Sequence, residues 1–251
     1  MTGFPSSGRT YEPPAALVSD HMAMADQLGI QRMVVVQASV SGTDNAVTID
    51  AVRQFGQHRA RAVAVIDNSF PDAKLQEMHM GGVRGIRFNV STGNGTPIDQ
   101  LEPVARRIAP LGWHIQVYID GEDLLVMAPT LAKLPVDIVI DHRGRVKAGL
   151  GLEYPQFQAL LGLRDSRRAW IKVCSYRVSS TGQPWAGPAP NVKASAARYP
   201  ERCVWGTDWP HPRINPLPES GRQLDFFFDW VPDAATRQRI LVDNAAKLYG
   251  F

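Results

Sequence analysis

A chain of 251 residues with 27 basic and 24 acidic side chains has a formal net charge of +3. That balance is too even to point to nucleic acid or an anionic membrane surface as a partner. With 44% hydrophobic and 20% charged residues, and no apolar stretch near the ~20 residues of a membrane span, it reads as a single soluble domain over 1–251. Residues 1–9 hold no apolar leader, so the expected location is the cytoplasm. The two cysteines, Cys174 and Cys203, share no metal-type spacing and are expected to pack reduced, as small hydrophobes.

In chain order, residues 15–28 carry Leu17, Met24 and Leu28 at helical spacing, and Gly29 is placed to end that helix. Seven short runs rich in Val and Ile follow, at 33–37, 62–67, 83–89, 115–119, 137–142, 170–174 and 203–208. They are mostly continuous rather than alternating, the pattern of parallel strands buried on both faces. Amphipathic stretches lie between them at 46–56, 72–80, 98–110, 121–133, 153–163 and 191–199, and a closing helix is expected over 233–249. A strand–helix unit recurring at roughly 20–35 residues predicts an α/β chain folded as a (β/α)8 TIM barrel. A doubly wound sheet would use the same units, but no Gly-x-Gly-x-x-Gly turn follows the first strand. Seven strands are one short of eight. Residues 1–14, with Pro5, Pro13 and Pro14, read as loop, so the barrel is expected to lack its first strand.

Polar residues recur at the strand ends: Gln37 and Ser39, Asp67, Arg87 and Asn89, Tyr118 and Asp120, Asp141 and His142, Arg177 beyond Cys174, and Asp208. In a barrel these meet on one rim, where the active site is built. Asp208 and His211 sit in a loop stiffened by Pro210 and Pro212, and a fixed carboxylate and imidazole are the parts of a proton-transfer site. Arg87, Arg145 and Arg177 suit an anionic ligand, since planar guanidinium forks match carboxylates. Their bland alternative is ion pairing with Asp67, Asp120 or Asp141. Asp141 and His142 are strand neighbours, so only one of them should face the pocket. Ser39 lacks a nucleophile elbow and reads as a hydrogen-bond donor to ligand. The 42–45 segment reads as a helix cap, and 175–191 as a lid. His21, His58, His79 and His114 are expected to be solvated or locally bonded.

Four motifs in order, Gln37-Ala-Ser-x-x-Gly-Thr-Asp-Asn45, Gly85-Ile-Arg-Phe-Asn89, Ile140-Asp-His-x-Gly-Arg145 and Trp205-Gly-Thr-Asp-Trp-Pro-His-Pro212, resemble the 2-pyrone-4,6-dicarboxylate lactonases. These form part of the family-2 branch of the amidohydrolase superfamily. The resemblance implies a barrel that hydrolyses a small anionic lactone from aromatic or sugar-acid breakdown, without a bound metal. It makes Asp208 the base that deprotonates water, with His142 and His211 beside it. It makes Ser39, Arg87, Tyr118, Arg145 and Arg177 the groups that hold the substrate's carbonyl and carboxylates. Two family features are absent: the His-x-His of the first strand, and a further arginine near 89–93. Those absences keep two alternatives open, a barrel that only binds an anion, and a metal-dependent hydrolase or decarboxylase with an ion such as zinc on His142 and Asp208. A monomer or small homo-oligomer is expected, with neither nucleic acid nor membrane as partner.

Overall fold

The computed structural model describes residues 12–91, 95–147, 150–163, 168–174, 177 and 187–251. Strands and helices alternate: α1 (Val18–Gln27), β1 (Met33–Val36), α2 (Ala46–Phe55), β2 (Ala60–Ala64), α3 (Asp72–Met80), β3 (Val83–Asn89), α4 (Leu101–Ile108) and β4 (His114–Tyr118). Then come α5 (Gly121–Leu131), β5 (Ile138–Ile140), α6 (Pro155–Gly162), β6 (Ala169–Val173), α7 (Ala189–Arg198) and β7 (Cys203–Trp205). The chain closes with α8 (Ser220–Trp230), α9 (Ala234–Gln238) and α10 (Asn244–Tyr249), the last two joined by a π turn. The expected end of α1 is as read. Gly29 adopts φ +69°, with Ile30 N–H donating to Ala25 O and Gly29 N–H to Asp26 O, a Schellman stop.

All strand pairs are parallel, and among the described residues the order is β1-β2-β3-β4-β5-β6-β7, with β1 and β7 at the edges. A doubly wound sheet reverses its order at a switch point. This one never does, which is the progression of a barrel. No helix among the described residues is long and apolar enough to cross a membrane.

The two faces of the sheet differ. Ile86, Phe88, Ile115, Val117, Ile138, Ile140, Ile171 and Val173 are fully buried in one large cluster under the helices. Each such side chain contributes about 1.5–3 kcal/mol by leaving water. The opposite face holds a small cluster of Val139, Trp170 and Val204 with Leu248. On that face Gly85 lies opposite His114, and Arg87 opposite Gln116. Gly85 is needed there, because a Cβ would come within 2.4 Å of the His114 ring. Tyr249 meets that ring edge-on at 5.2 Å. The strands are therefore not uniformly apolar. Their inner positions alternate into polar residues.

One expectation is corrected here. His114 is fully buried rather than solvated, and burial pulls its pKa down to about 3. Helix α8 lies in a stretch to which the sequence pattern assigns no element. Its Phe226, Phe227 and Trp230 are buried at helical spacing, a signal hidden by the flanking prolines and glycines. Of the other histidines, His58 is exposed, His79 Nδ1 accepts from Trp113 Nε1 at 2.9 Å, and His21 packs edge-on to Phe55 and Trp209.

Candidate active site

Six non-glycine residues among those described have positive φ: His142, Arg143, Arg145, Asp208, His211 and Arg213. Such conformations are rare for these residue types, and they gather where surrounding structure and function hold them. All six belong to two loops, one after β5 and one after β7. Both loops overhang a cavity of about 680 Å³.

The β5 loop corrects a second expectation. Strand β5 ends at Ile140, and the chain then turns through left-handed conformations at His142, Arg143, Gly144 and Arg145. Strand alternation stops, so Asp141 and His142 both line the cavity. Gly144 permits the turn, since a Cβ there would meet Leu124 at 2.7 Å. Arg143 points away, with its guanidinium fully buried and donating to Cys174 O.

Asp208 and its neighbours form the mouth. Arg177 Nε lies 2.5 Å from Asp208 Oδ2, and His142 Nε2 lies 3.7 Å from Oδ1. His142 Nδ1 is 2.8 Å from Cys174 Sγ. Burial pulls the His142 pKa down to about 4, with Asp208 and Asp141 pulling the other way, so the ring is neutral near pH 7. Burial also pushes the Cys174 thiol up to about 12. A thiol that stays protonated can donate to Nδ1. That places the imidazole proton on Nε2, facing Asp208.

Tyr118 stands between two arginines, with Arg87 5.2 Å and Arg145 5.3 Å from its ring centroid, and His142 edge-on at 5.7 Å. Arg145 Nε also pairs with Asp120 Oδ1 at 3.1 Å, a half-exposed contact. Ser39 lines the cavity on a short 3-10 turn. The segment expected to cap α2 puts Asn45 at the cap position, but with no capping bond from its side chain to the helix. Asp44 Oδ1 accepts from Ala46 N, whereas Asn45 bonds both the N–H and the C=O of Val65. Gln37 Nε2 donates to Gly42 O and Asp44 O, and Thr48 Oγ1 donates to Gln37 Oε1. The loop behind Ser39 is thus tied to β2.

Seven of the eight expected site residues therefore line one cavity. His211 is the eighth, and it lies beneath the loop, where its Nε2 is 2.9 Å from Ser220 Oγ at the start of α8. Burial pulls its pKa down to about 4. Asp67 is elsewhere, bonded to Ser69. Most of the expected lid, 175–191, lies outside the described residues, as does part of 89–93. Sequence reasoning missed Gln116, Lys172 and Arg213, which also line the cavity. Reading back by twos from Cys174 and Tyr118 would have found the first two.

Residues 4–251 match the family model described as amidohydrolase. The chain belongs to the amidohydrolase family. It is 37% identical to a 2-pyrone-4,6-dicarboxylate hydrolase of Comamonas testosteroni, over 96% of this chain and 83% of that one. It is 32% identical to a D-galactarolactone isomerase of Agrobacterium fabrum, over 99% of this chain and 87% of that one. A crystal structure of an Agrobacterium tumefaciens protein without ligand superposes with a TM-score of 0.92, at 31% identity, covering 100% of this chain and 92% of that one.

The described residues offer a metal ion an incomplete set of donors. Among those described, no three His, Cys, Asp or Glu side chains come together to hold an ion. One Asp208 oxygen is held by a guanidinium, and His142 turns its proton-bearing nitrogen toward the other. A cation would meet positive charge there instead of a full donor set.

Proposed function

We propose that this amidohydrolase opens a small anionic lactone by attack of water, with Asp208 as general base and no resident metal. The observation that carries this reading is one carboxylate, Asp208, held between Arg177 and a neutral His142 at a cavity mouth. Relatives that act on lactones support the same class of substrate.

In the proposed step, water attacks the ring carbonyl carbon while an Asp208 oxygen takes its proton. Negative charge moves to the carbonyl oxygen, where the His142 Nε2–H and a neighbouring guanidinium donate to it. The carbon–oxygen bond of the ring then breaks, and the departing oxygen takes the proton back from Asp208. Ser39, Arg87, Tyr118, Arg145 and Arg177 orient the substrate, and His211, bonded near Ser220, holds the Asp208 loop. A (β/α)8 barrel lacking its first strand, a cytoplasmic setting and a role in aromatic or sugar-acid breakdown complete the proposal.

The test is a lactone panel, including 2-pyrone-4,6-dicarboxylate and aldonolactones, run in ¹⁸O-labelled water. The expected result is one labelled oxygen in the opened acid, and loss of turnover in Asp208→Asn. Unlabelled, rearranged lactone would point to isomerisation. Near-normal rates in the variant would remove Asp208 from its role.

A further inference from the structure

One buried carboxylate in the cavity belongs to none of the roles above. Asp141 is almost fully buried, and its carboxylate is gripped from three sides. Lys172 Nζ lies 2.7 Å from Oδ1, Gln116 Nε2 donates at 2.9 and 3.0 Å, and Arg87 Nη2 approaches Oδ2 at 3.4 Å. The register explains the meeting. Arg87 pairs with Gln116 across β3 and β4, and Ile140 with Ile171 across β5 and β6, so Asp141 comes level with Lys172. Burial alone would raise the Asp141 pKa, yet Lys172 and Arg87 hold it below the usual carboxylate range. Lys172 in turn is kept charged, because Asp141 outweighs its burial.

Two cations against one carboxylate leave a surplus positive charge. Both cations are close to buried, with side chains 13% and 14% exposed, and both line the cavity. Desolvated charge without a counter-charge is costly. Asp208 does not balance it, since Asp208 is engaged with Arg177. Among the described residues, the other titratable groups nearby are neutral or of the same sign, including His114 and His142, with low pKa values, and the protonated Tyr249. Unused hydrogen-bonding capacity lies at the same level. Arg87 Nε, Asn89 Nδ2 and Gln116 Oε1 are buried without a partner among the described residues, although Arg87 Nη1 does donate to Gln37 O at 3.1 Å.

We propose that Lys172 is an anion-binding residue, forming with Arg87 a floor that receives a carboxylate of the ligand, and that Asp141 is the positioning residue that holds both cations there. The ligand then stands with one anionic group on the floor and its reacting carbonyl toward Asp208 and His142. This rests on the lactone reading only for the carbonyl; the anion site itself does not need turnover.

The test uses isophthalate, a planar ring with two carboxylates and no ester to cleave, titrated calorimetrically into the whole protein. Lys172→Met removes the surplus charge, and binding is expected to weaken by at least about tenfold, as charged hydrogen bonds are strong when desolvated. Lys172→Arg keeps the charge and is expected to stay within about threefold of the parent. Asp141→Asn frees both cations from the carboxylate that holds them, so binding is expected to weaken although the surplus charge rises, whereas an Asp141 that merely offsets charge predicts tightening. If Asp141→Asn does not fold, the Met and Arg pair still decides. Parent-like affinity in Lys172→Met, or equal loss in both Lys172 variants, overturns the proposal. A charge-dependent pattern with no lactone opened would instead retire the catalytic reading and leave the anion floor standing.

Discussion

At the floor of the cavity, Arg87, Gln116 and Lys172 project from within regular strands. At the mouth, His142 and Asp208 ride on loops with positive φ, at 48° and 59°. Floor residues inherit their positions from a ladder of backbone hydrogen bonds, so their geometry is as rigid as the sheet. Mouth residues are held by side chains, with Arg177 on Asp208, Cys174 behind His142 and Ser220 beside His211. The charge balance differs as well. The Asp208–Arg177 contact pairs opposite charges, whereas the floor keeps a surplus. A neutral, adjustable mouth suits proton transfer, and a fixed cationic floor suits holding an anion.

The sharpest way to break this division is Asp208→Asn. The amide keeps a contact to Arg177 but cannot accept a proton from water, so kcat is expected to fall by at least about a thousandfold. KM should change far less, because the floor is untouched. Steady-state kinetics on the best lactone of the panel would check this. A variant that lost only affinity would make Asp208 part of the binding floor instead.

The next effect acts on stability through pH. Folded His142 and His211 titrate at about 4 and His114 at about 3, because burial disfavours the charged ring, against 6.5 for a free histidine. As pH falls, the unfolded chain binds these protons first. Stability is therefore whole above about 6.5 and is lost progressively as pH falls toward 4. Melting curves at half-unit steps would show the decline. His114→Gln should make the decline shallower from about pH 6.5 downward and end it near pH 4, leaving the contribution of His142 and His211. A Tm that stays flat from pH 7 to 4 would mean that these rings take up protons without cost.

Gly85→Ala probes the floor alone. The added Cβ would stand 2.4 Å from the His114 ring, which Tyr249 meets edge-on at 5.2 Å. Overpacking of this kind is expected to cost about 1–3 kcal/mol, read as a lower urea midpoint. Because β3 carries Arg87 two residues on, KM should rise while kcat is largely kept. Loss of kcat alone would show that floor and mouth are mechanically one unit.

Much of this arrangement was legible before any coordinates. The seven strands and their parallel order follow from apolar runs separated by helical stretches, and the rim residues follow from the barrel rule that strand ends converge. Reading the runs as continuous concealed the floor. His114, Gln116 and Tyr118 alternate with Ile115 and Val117, as do Lys172 and Cys174 with Ile171 and Val173, and period two marks the inner face. The left-handed turn at 142–145 was invisible for another reason. Only Gly144 advertises it, and three neighbouring residues follow into a conformation their side chains disfavour. Nothing local reveals that Asp141 would therefore join His142 in the cavity.

The smallest expected effect separates the mouth's proton geometry from its charge. Cys174 follows strand β6 directly, its thiol 2.8 Å from His142 Nδ1 and protonated up to about pH 12. Replacing Cys174 by Ala removes that donor, so the neutral imidazole can place its proton on either nitrogen. The fraction carrying Nε2–H falls, and with it the donor available to the developing oxyanion. Two tautomers of similar energy differ by a small factor in population, so kcat is expected to drop by about tenfold or less. Cys174→Ser restores a donor of similar reach and should recover most of the loss, while KM stays near the parent value in both. Nitrogen chemical shifts of labelled His142 would report the tautomer directly, as Nε2–H in the parent and a mixture in Cys174→Ala. If the shifts and kcat of the alanine variant match the parent, the thiol is only packing, and the orientation of His142 comes from Asp208 and Tyr118.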